Sequence, residues 1–321
     1  MKITKEISGI INIKEGDSMK KLLVIGSINM DVIMKVDSMP KPGESTLCPN
    51  IITAPGGKGA NQAVAASRLG CPTTFIGKLG NDEYGKKLLN NLKENNVDIS
   101  FTTTQGDQTG IAYIILESNG QNRIIISSGA NMSFSSDDLD IVKNIISDYD
   151  MVLLQLEIPL DIVSDIIKIA KSHGKVVIVD AGPAMACDIR IFQGVDILSP
   201  NETEAEKLTG VIINNIEDAI KAGRILLENG IEKVVLKMGS TGALYIDNAG
   251  YVLIPSYKVP VVDTTAAGDA FTAAMATRLL MGEDIITAIK YANTVGALTV
   301  TKLGAQPSLP FKEEIEKWNF N

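Results

Sequence analysis

The feature that most constrains this chain is its alternation of short, β-rich apolar runs with amphipathic stretches of helical length. Residues 21–26, 73–77, 151–156, 175–180, 196–199 and 233–237 read as strands, and 59–69, 82–94, 160–172, 202–208 and 217–229 as helices. Apolar strands separated by helices pair in parallel and are covered on both faces. The rhythm therefore predicts an α/β fold, a three-layer α/β/α domain with a mostly parallel central sheet. Two regions break the rhythm. Residues 31–53 hold short alternating segments around Pro40-Lys41-Pro42-Gly43, and 109–127 read as a hairpin turning at Ser118-Asn119-Gly120. Together they predict a small β-sheet placed as a lid over a site. The C-terminal third is helical, over 270–281 and 284–301, followed by a loop at 304–308 and a short final helix. Met19-Lys20-Lys21 before Leu-Leu-Val-Ile-Gly reads as a natural start, so residues 1–18 are taken as an N-terminal extension and 19–321 as one domain.

Charge and composition exclude several classes. The formal net charge is −8 with no basic stripe, which argues against a nucleic-acid partner. An acidic protein that binds a polyanion must build a local positive field from backbone N–H groups, a few lysines or a metal ion. His173 is the only histidine, at what reads as a helix C-terminus, so a histidine triad or histidine-rich metal site is excluded. Cys48, Cys71 and Cys187 have no metal-ligand or CxxC spacing; three sparse thiols suit a reducing cytosol and a cytoplasmic protein. No apolar run reaches membrane-spanning length.

The strongest local signal is Asp263-Thr264-Thr265-Ala266-Ala267-Gly268-Asp269. Small residues at a helix start leave backbone N–H groups open to an anion, and the helix dipole favours one there. A carboxylate in the same turn, Asp269, is either a helix cap or a base for a hydroxyl attacking a phosphoryl group. Gly56-Gly57-Lys58-Gly59-Ala60-Asn61 is a second glycine-rich helix entry. It is not a Walker loop, since Ile52 stands where the first glycine is needed and Gly59 where Ser or Thr is. Asn29 and Asp31 follow the first strand two residues apart, so they share a face and suit a diol. Glu157 and Asn201 also follow strands, where open α/β sheets bind ligands. Each of these four could instead be a cap or turn residue.

Gly-Ser-Ile-Asn-Met-Asp (26–31), Gly-Gly-Lys-Gly-Ala-Asn-Gln-Ala (56–63), Gln-Leu-Glu-Ile-Pro (155–159), Asn-Glu-Thr-Glu-Ala-Glu (201–206), Asp-Thr-Thr-Ala-Ala-Gly-Asp (263–269) and Gly-Ala-Gln-Pro-Ser (304–308), in this order, resemble the PfkB-type (ribokinase) family of sugar kinases from about Lys20 to Trp318. The resemblance implies ATP-dependent phosphorylation of D-ribose at its 5-hydroxyl. Asp269 would be the base, and the N–H groups of Ala267, Gly268 and Asp269 an anion hole. It implies sugar contacts at Asn29, Asp31, Gly57, Lys58, Asn61 and Glu157, and an ATP site at Asn201, Lys237, Gly239, Ser240, Gly242, Gly268 and Asn293. Glu204 would help place Mg2+ through water. A K+ site would use Asp263, Thr265, Thr299, Lys302, Gly304 and Ser308. Pairing of two lids would make a homodimer. Rival readings are a kinase of deoxyribose or another small sugar, a nucleoside kinase, a non-catalytic sugar-binding protein, and a dinucleotide oxidoreductase. The last lacks a GxGxxG turn after the first strand.

Overall fold

The computed structural model describes residues 19–105, 108–118 and 121–318. The expected extension 1–18 and Asn119-Gly120 of the expected turn lie outside the described residues. In chain order the strands are β1 (Leu22–Ile25), β2 (Asn29–Val36), β3 (Ile51–Gly56), β4 (Thr73–Ile76), β5 (Lys78–Leu79), β6 (Thr103–Thr104), β7 (Gly110–Glu117), β8 (Asn122–Ser127), β9 (Met151–Leu154), β10 (Val176–Asp180), β11 (Ile197–Ser199), β12 (Lys233–Lys237), β13 (Ala243–Asp247) and β14 (Gly250–Ile254). The helices are α1 (Lys58–Arg68), α2 (Glu83–Glu94), α3 (Ser136–Ile145), α4 (Leu160–Ser172), α5 (Glu202–Thr209), α6 (Ile216–Glu228), α7 (Ala267–Leu280), α8 (Ile285–Thr299) and α9 (Lys312–Glu316).

Eight strands form the central sheet in the order β14-β13-β12-β11-β10-β9-β1-β4. Pairing is parallel from β4 to β12 and antiparallel at β13 and β14. Alternate residues of each strand feed opposite cores. Leu22 and Val24 join one core with α1, α2, α7 and α8, while Leu23 and Ile25 join the other with α3, α4 and α6. This is the period-two burial that a doubly covered sheet demands.

The lid is a second sheet, ordered β3-β2-β7-β8. Its segments begin slightly earlier than the sequence suggests: β2 starts at Asn29 and β3 runs on to Gly56, so polar residues expected at a strand end are lid residues themselves. β2 and β7 pair in parallel, from Asn29 opposite Gly110 to Val36 opposite Glu117, and β7 and β8 form the expected hairpin. Two elements lie beyond those expected: α3, whose Ser135–Asp138 capping box is a legible start signal, and the β13–β14 hairpin.

β1 has β4 on one side and β9 on the other, so the chain reverses its direction of growth there. Such a switch point opens a crevice at the carboxyl ends of the parallel strands.

Candidate active site

Four elements converge on that crevice. After β1 the chain passes Gly26 and Ser27 into the lid, and after β3 it returns through Gly57 to α1. Gly57 has φ 89°, and a Cβ there would lie 2.7 Å from both Asn29 N and Ile28 Cα. Only glycine fits this turn. The α1 entry is held from outside. Glu157, just beyond β9, accepts the Lys58 N–H at 3.2 Å and the Ser27 hydroxyl, while Ala60 N donates to Ser27 O. Glu157 thus anchors the helix start as well as facing the pocket.

The first turns of α1 then meet the first turn of α7. Asn61 Nδ2 donates to Asp269 Oδ2 at 2.8 Å, Gln62 Nε2 lies 3.3 Å from Asp269 Oδ1, and Lys58 Nζ is 3.6 Å from the same oxygen. Among the described residues the buried Asn61 Oδ1 has no hydrogen-bond partner. Asn29 and Asp31 lie on β2 along one face, with Asp31 against Gly56. Of the expected sugar contacts, Lys58 and Asn61 thus reach Asp269, Glu157 holds the Lys58 N–H, and Asp31 lies near enough to Glu157 and Asp269 to feel their charge.

Its electrostatics are crowded. Burial, with Glu157 and Asp269 nearby, pushes the Asp31 carboxyl up to about 7. Burial also raises Glu157, although Lys58 and Ser27 oppose it. Burial works against the charge of Lys58, but Asp269, Asp180, Glu204 and Glu157 together hold its pKa above the usual lysine range. Lys58 opposes the rise at Glu157, and with Lys237 it favours the charged forms of Asp180 and Glu204.

Three further residues, Asp180, Gln62 and Gln155, belong to the site beyond those expected from the sequence. Asp180 ends β10 fully buried, and accepts from Lys237 Nζ at 2.9 Å, Thr272 Oγ1 at 2.9 Å and Gln62 Nε2 at 3.1 Å. Burial alone would raise its pKa; Lys237, Lys58 and Thr272 hold it below the ordinary value. Gln155 Nε2 in turn donates to Gln62 Oε1 at 2.6 Å. One amide, Gln62, thus bridges the carboxylates of Asp180 and Asp269.

On the far side of Asp269, Lys237, Gly239, Ser240, Gly242, Gly268 and Asn293 line a cavity of about 440 Å³. Tyr257, Val261 and Phe271 add apolar wall, which suits a planar base. Asn293 Nδ2 is committed to the carbonyls of Ile254 and Pro255, leaving its oxygen as the polar atom for a ligand. Asn201 does not line this cavity. It caps α5 in a reciprocal box with Glu204 and bridges to Lys237. Burial raises the Glu204 pKa, with Asp180 adding to it and Lys237 and Lys58 opposing.

α7 starts from Ala266 in the left-handed region at φ 60°. Of the three amides expected in the anion hole, that of Ala267 is already bonded to Thr264 O at 3.2 Å. The Gly268 and Asp269 N–H groups belong to the first turn and have no intrahelical acceptor. Asp263 clasps its own loop, accepting from Thr265 N and Oγ1 and from Gly304 N. Burial would raise its pKa, but these bonds bring it below the ordinary value. Thr299 and Ser308 turn their hydroxyls to Val295 O and Ala305 O, and Lys302 Nζ pairs with Glu314. Of the six residues expected at a cation site, Asp263, Thr265 and Gly304 are thus joined through the Asp263 carboxylate, while the side chains of Thr299, Lys302 and Ser308 are engaged elsewhere.

A helix mouth with open N–H groups beside a carboxylate, next to an apolar cavity, suits phosphoryl transfer. Residues 19–312 match the model of the pfkB family carbohydrate kinases. The chain belongs to this family and is an ATP-dependent sugar kinase. It is 40% identical over 301 residues to the bifunctional ribokinase/ribose-5-phosphate isomerase A of Fructilactobacillus sanfranciscensis, covering 92% of this chain but 56% of that protein. It is 38% identical to the ribokinase of Haemophilus influenzae, over 92% of this chain and 97% of that one, and 33% identical to the deoxyribokinase of Salmonella typhi, over 92% and 98%. The structure of Arabidopsis thaliana ribokinase complexed with ribose and ATP superposes with a TM-score of 0.86 at 36% identity, covering 94% of this chain and 98% of that one. Among the described residues no helix is long and apolar enough to cross a membrane.

Proposed function

We propose that the protein transfers the terminal phosphoryl group of ATP to the 5-hydroxyl of D-ribose, giving ribose 5-phosphate and ADP. The observation that carries this reading is the position of Asp269. Its carboxylate faces Asn61 and Lys58 on the polar side, while the helix turn it belongs to lines the nucleotide cavity. A sugar hydroxyl placed there gives its proton to Asp269 as its oxygen bonds to phosphorus, and the bond to the ADP oxygen breaks with the electron pair leaving on ADP. The Gly268 and Asp269 amides receive the charge that develops on the transferring group.

Asp31, Glu157, Asp180, Glu204 and Asp269 crowd the site against Lys58 and Lys237. Such an acidic floor opposes a polyphosphate, and Mg2+ would supply the missing positive charge on the phosphates. The buried carboxylate of Glu204 is a hard oxygen donor that would help hold it through water. Asp263 and the carbonyls around Thr265, Thr299, Lys302, Gly304 and Ser308 are an oxygen set suited to K+, which would steady the loop leading into α7. The exposed isoleucines of the lid support a homodimer paired through that sheet, and three free thiols support a cytoplasmic setting.

The test is ADP release with ATP and Mg2+ across ribose, 2-deoxyribose, fructose and adenosine, each with K+ or Na+ as sole monovalent cation. Turnover greatest on ribose and raised by K+ is expected. Preference for deoxyribose would move the assignment to that sugar, and no turnover on any would leave a sugar-binding protein.

A further inference from the structure

Asn131 lies in the short turn Gly129–Met132 that leads out of the lid, and it is almost wholly buried. Its Oδ1 accepts the Ile28 N–H at 2.9 Å, and its Nδ2 donates to Ile28 O at 3.2 Å and to Asn29 Oδ1 at 2.7 Å. Polarity runs one way along this chain of bonds. A backbone N–H can only donate, so the oxygen of Asn131 must face Ile28 and its amino group must face Asn29. Asn29 must then answer with its own oxygen, which leaves its NH2 group as the polar atom it can offer elsewhere. The cluster has no slack: a Cβ on Gly110 would fall on both Asn29 Oδ1 and Asn131 Nδ2.

We infer that Asn131 is a positioning residue for sugar recognition, fixing Asn29 as a hydrogen-bond donor beside the acceptor Asp31 on the same face of β2. A donor next to an acceptor reads two neighbouring hydroxyls of fixed sense. One hydroxyl accepts from Asn29 and the other donates to Asp31. A flipped Asn29 would present two acceptors side by side, which could engage the same diol only by turning both hydroxyls outward as donors. Asn131 never touches the sugar and acts through Asn29. It also ties two of the crossings between core and lid, Ile28–Asn29 and its own turn Ser128–Asn131, and the neighbouring Ala130 N–H donates to Gln108 O on a third. The inference rests on the sugar-kinase reading.

The test is a double-mutant cycle of Asn131→Asp with Asn29→Ala. Asp at 131 can still accept the Ile28 N–H but cannot donate to Asn29. The expected result for Asn131→Asp alone is a rise of about tenfold or more in the sugar KM, with kcat within about threefold and the ATP KM unchanged. In the Asn29→Ala background the same change should add less than about twofold, because the residue through which it acts is gone. Asn131→Ala repeats the cycle without added charge should the aspartate variant fold poorly. Equal, additive losses in both backgrounds, or a loss confined to kcat, would overturn the inference. The cycle is read with whichever sugar the parent turns over best, so a wrong sugar leaves it intact. If the parent turns over none, the proposed function fails while the bonding pattern is still tested by side-chain amide exchange. Slow exchange of the Asn131 NH2 is expected, and fast exchange would overturn the inference.

Discussion

Single side chains decide the chemistry at this site. Asp269→Asn should keep the Asn61 contact yet lower kcat by about a thousandfold or more, with ribose and ATP binding retained. Loss of binding by calorimetry would make Asp269 structural instead. Gln62→Leu strips one amide from two buried carboxylates at once, and should cost about 1–3 kcal/mol in stability and lower kcat about tenfold. Chemical denaturation and steady-state kinetics check both figures. Asp31 gives the protein a pH signature. Its carboxyl is raised from 3.8 to about 7 by burial and by Glu157 and Asp269, so the folded protein holds this proton more tightly than the unfolded chain. That contribution is complete below pH 4, and it is lost as the pH rises through about 7. Asp31→Asn stays neutral throughout, so its stability relative to the parent should grow by about 2–3 kcal/mol between pH 5 and 8. Urea unfolding at the two pH values measures it; a constant difference would mean that Asp31 is ionised at both. The visible part of this site in the sequence was its motif-bound part. Asn29, Lys58, Asn61 and Asp269 sit at strand ends and helix mouths, where local pattern marks a ligand. Asp180 and Asn131 were not visible, because each is defined by partners far along the chain: Lys237 and Gln62 for one, Ile28 for the other. A lone Asp after a strand or Asn after a turn carries no local sign of such a pairing.

At the level of elements, α1 and α7 do most of the positioning. α1 brings Lys58, Asn61 and Gln62 to Asp269 within two turns, and the glycine before it sets the angle of entry. Gly57→Ala forces a side chain against Ile28 and Asn29 at a φ that disfavours one. It should destabilise the protein by about 2 kcal/mol or more and raise the sugar KM, read by thermal unfolding and by kinetics. The parallel strands and their helices were legible because buried strands and amphipathic helices have different periods. The β13–β14 hairpin starts directly after the turn Gly239–Thr241, with no loop of its own to mark it in the sequence. The lid was recognised as β structure, but its boundaries were displaced: Asn29 and Gly56 lie within lid strands, so polar residues serve strand and site together.

For the molecule as a whole, the lid is the part whose surface is least settled within one chain. Ile51, Ile52, Ile124, Ile125 and Ile126 are exposed on it, and β3 and β8 are its open edges. Ile125→Lys should therefore shift sedimentation towards the monomer and lower activity, whereas an unchanged sedimentation coefficient would place any self-association elsewhere. The parallel pairing of β2 with β7 has a further consequence, for the order in which the protein assembles. The two strands lie about 80 residues apart in the chain, with α1, β4 and α2 between them. Neither can find the other cheaply until those elements have packed against β1, because closing so long a loop costs entropy before any contact rewards it. The β2–β7 pairing should thus form after the local β2–β3 and β7–β8 pairings of the same sheet, and pulsed hydrogen exchange should show the amides bonded between β2 and β7 protected later than those bonded within the two hairpins. A kinase whose substrate-facing sheet is closed by a distant pairing would have that pairing held against opening, as well as its site filled, by its own sugar.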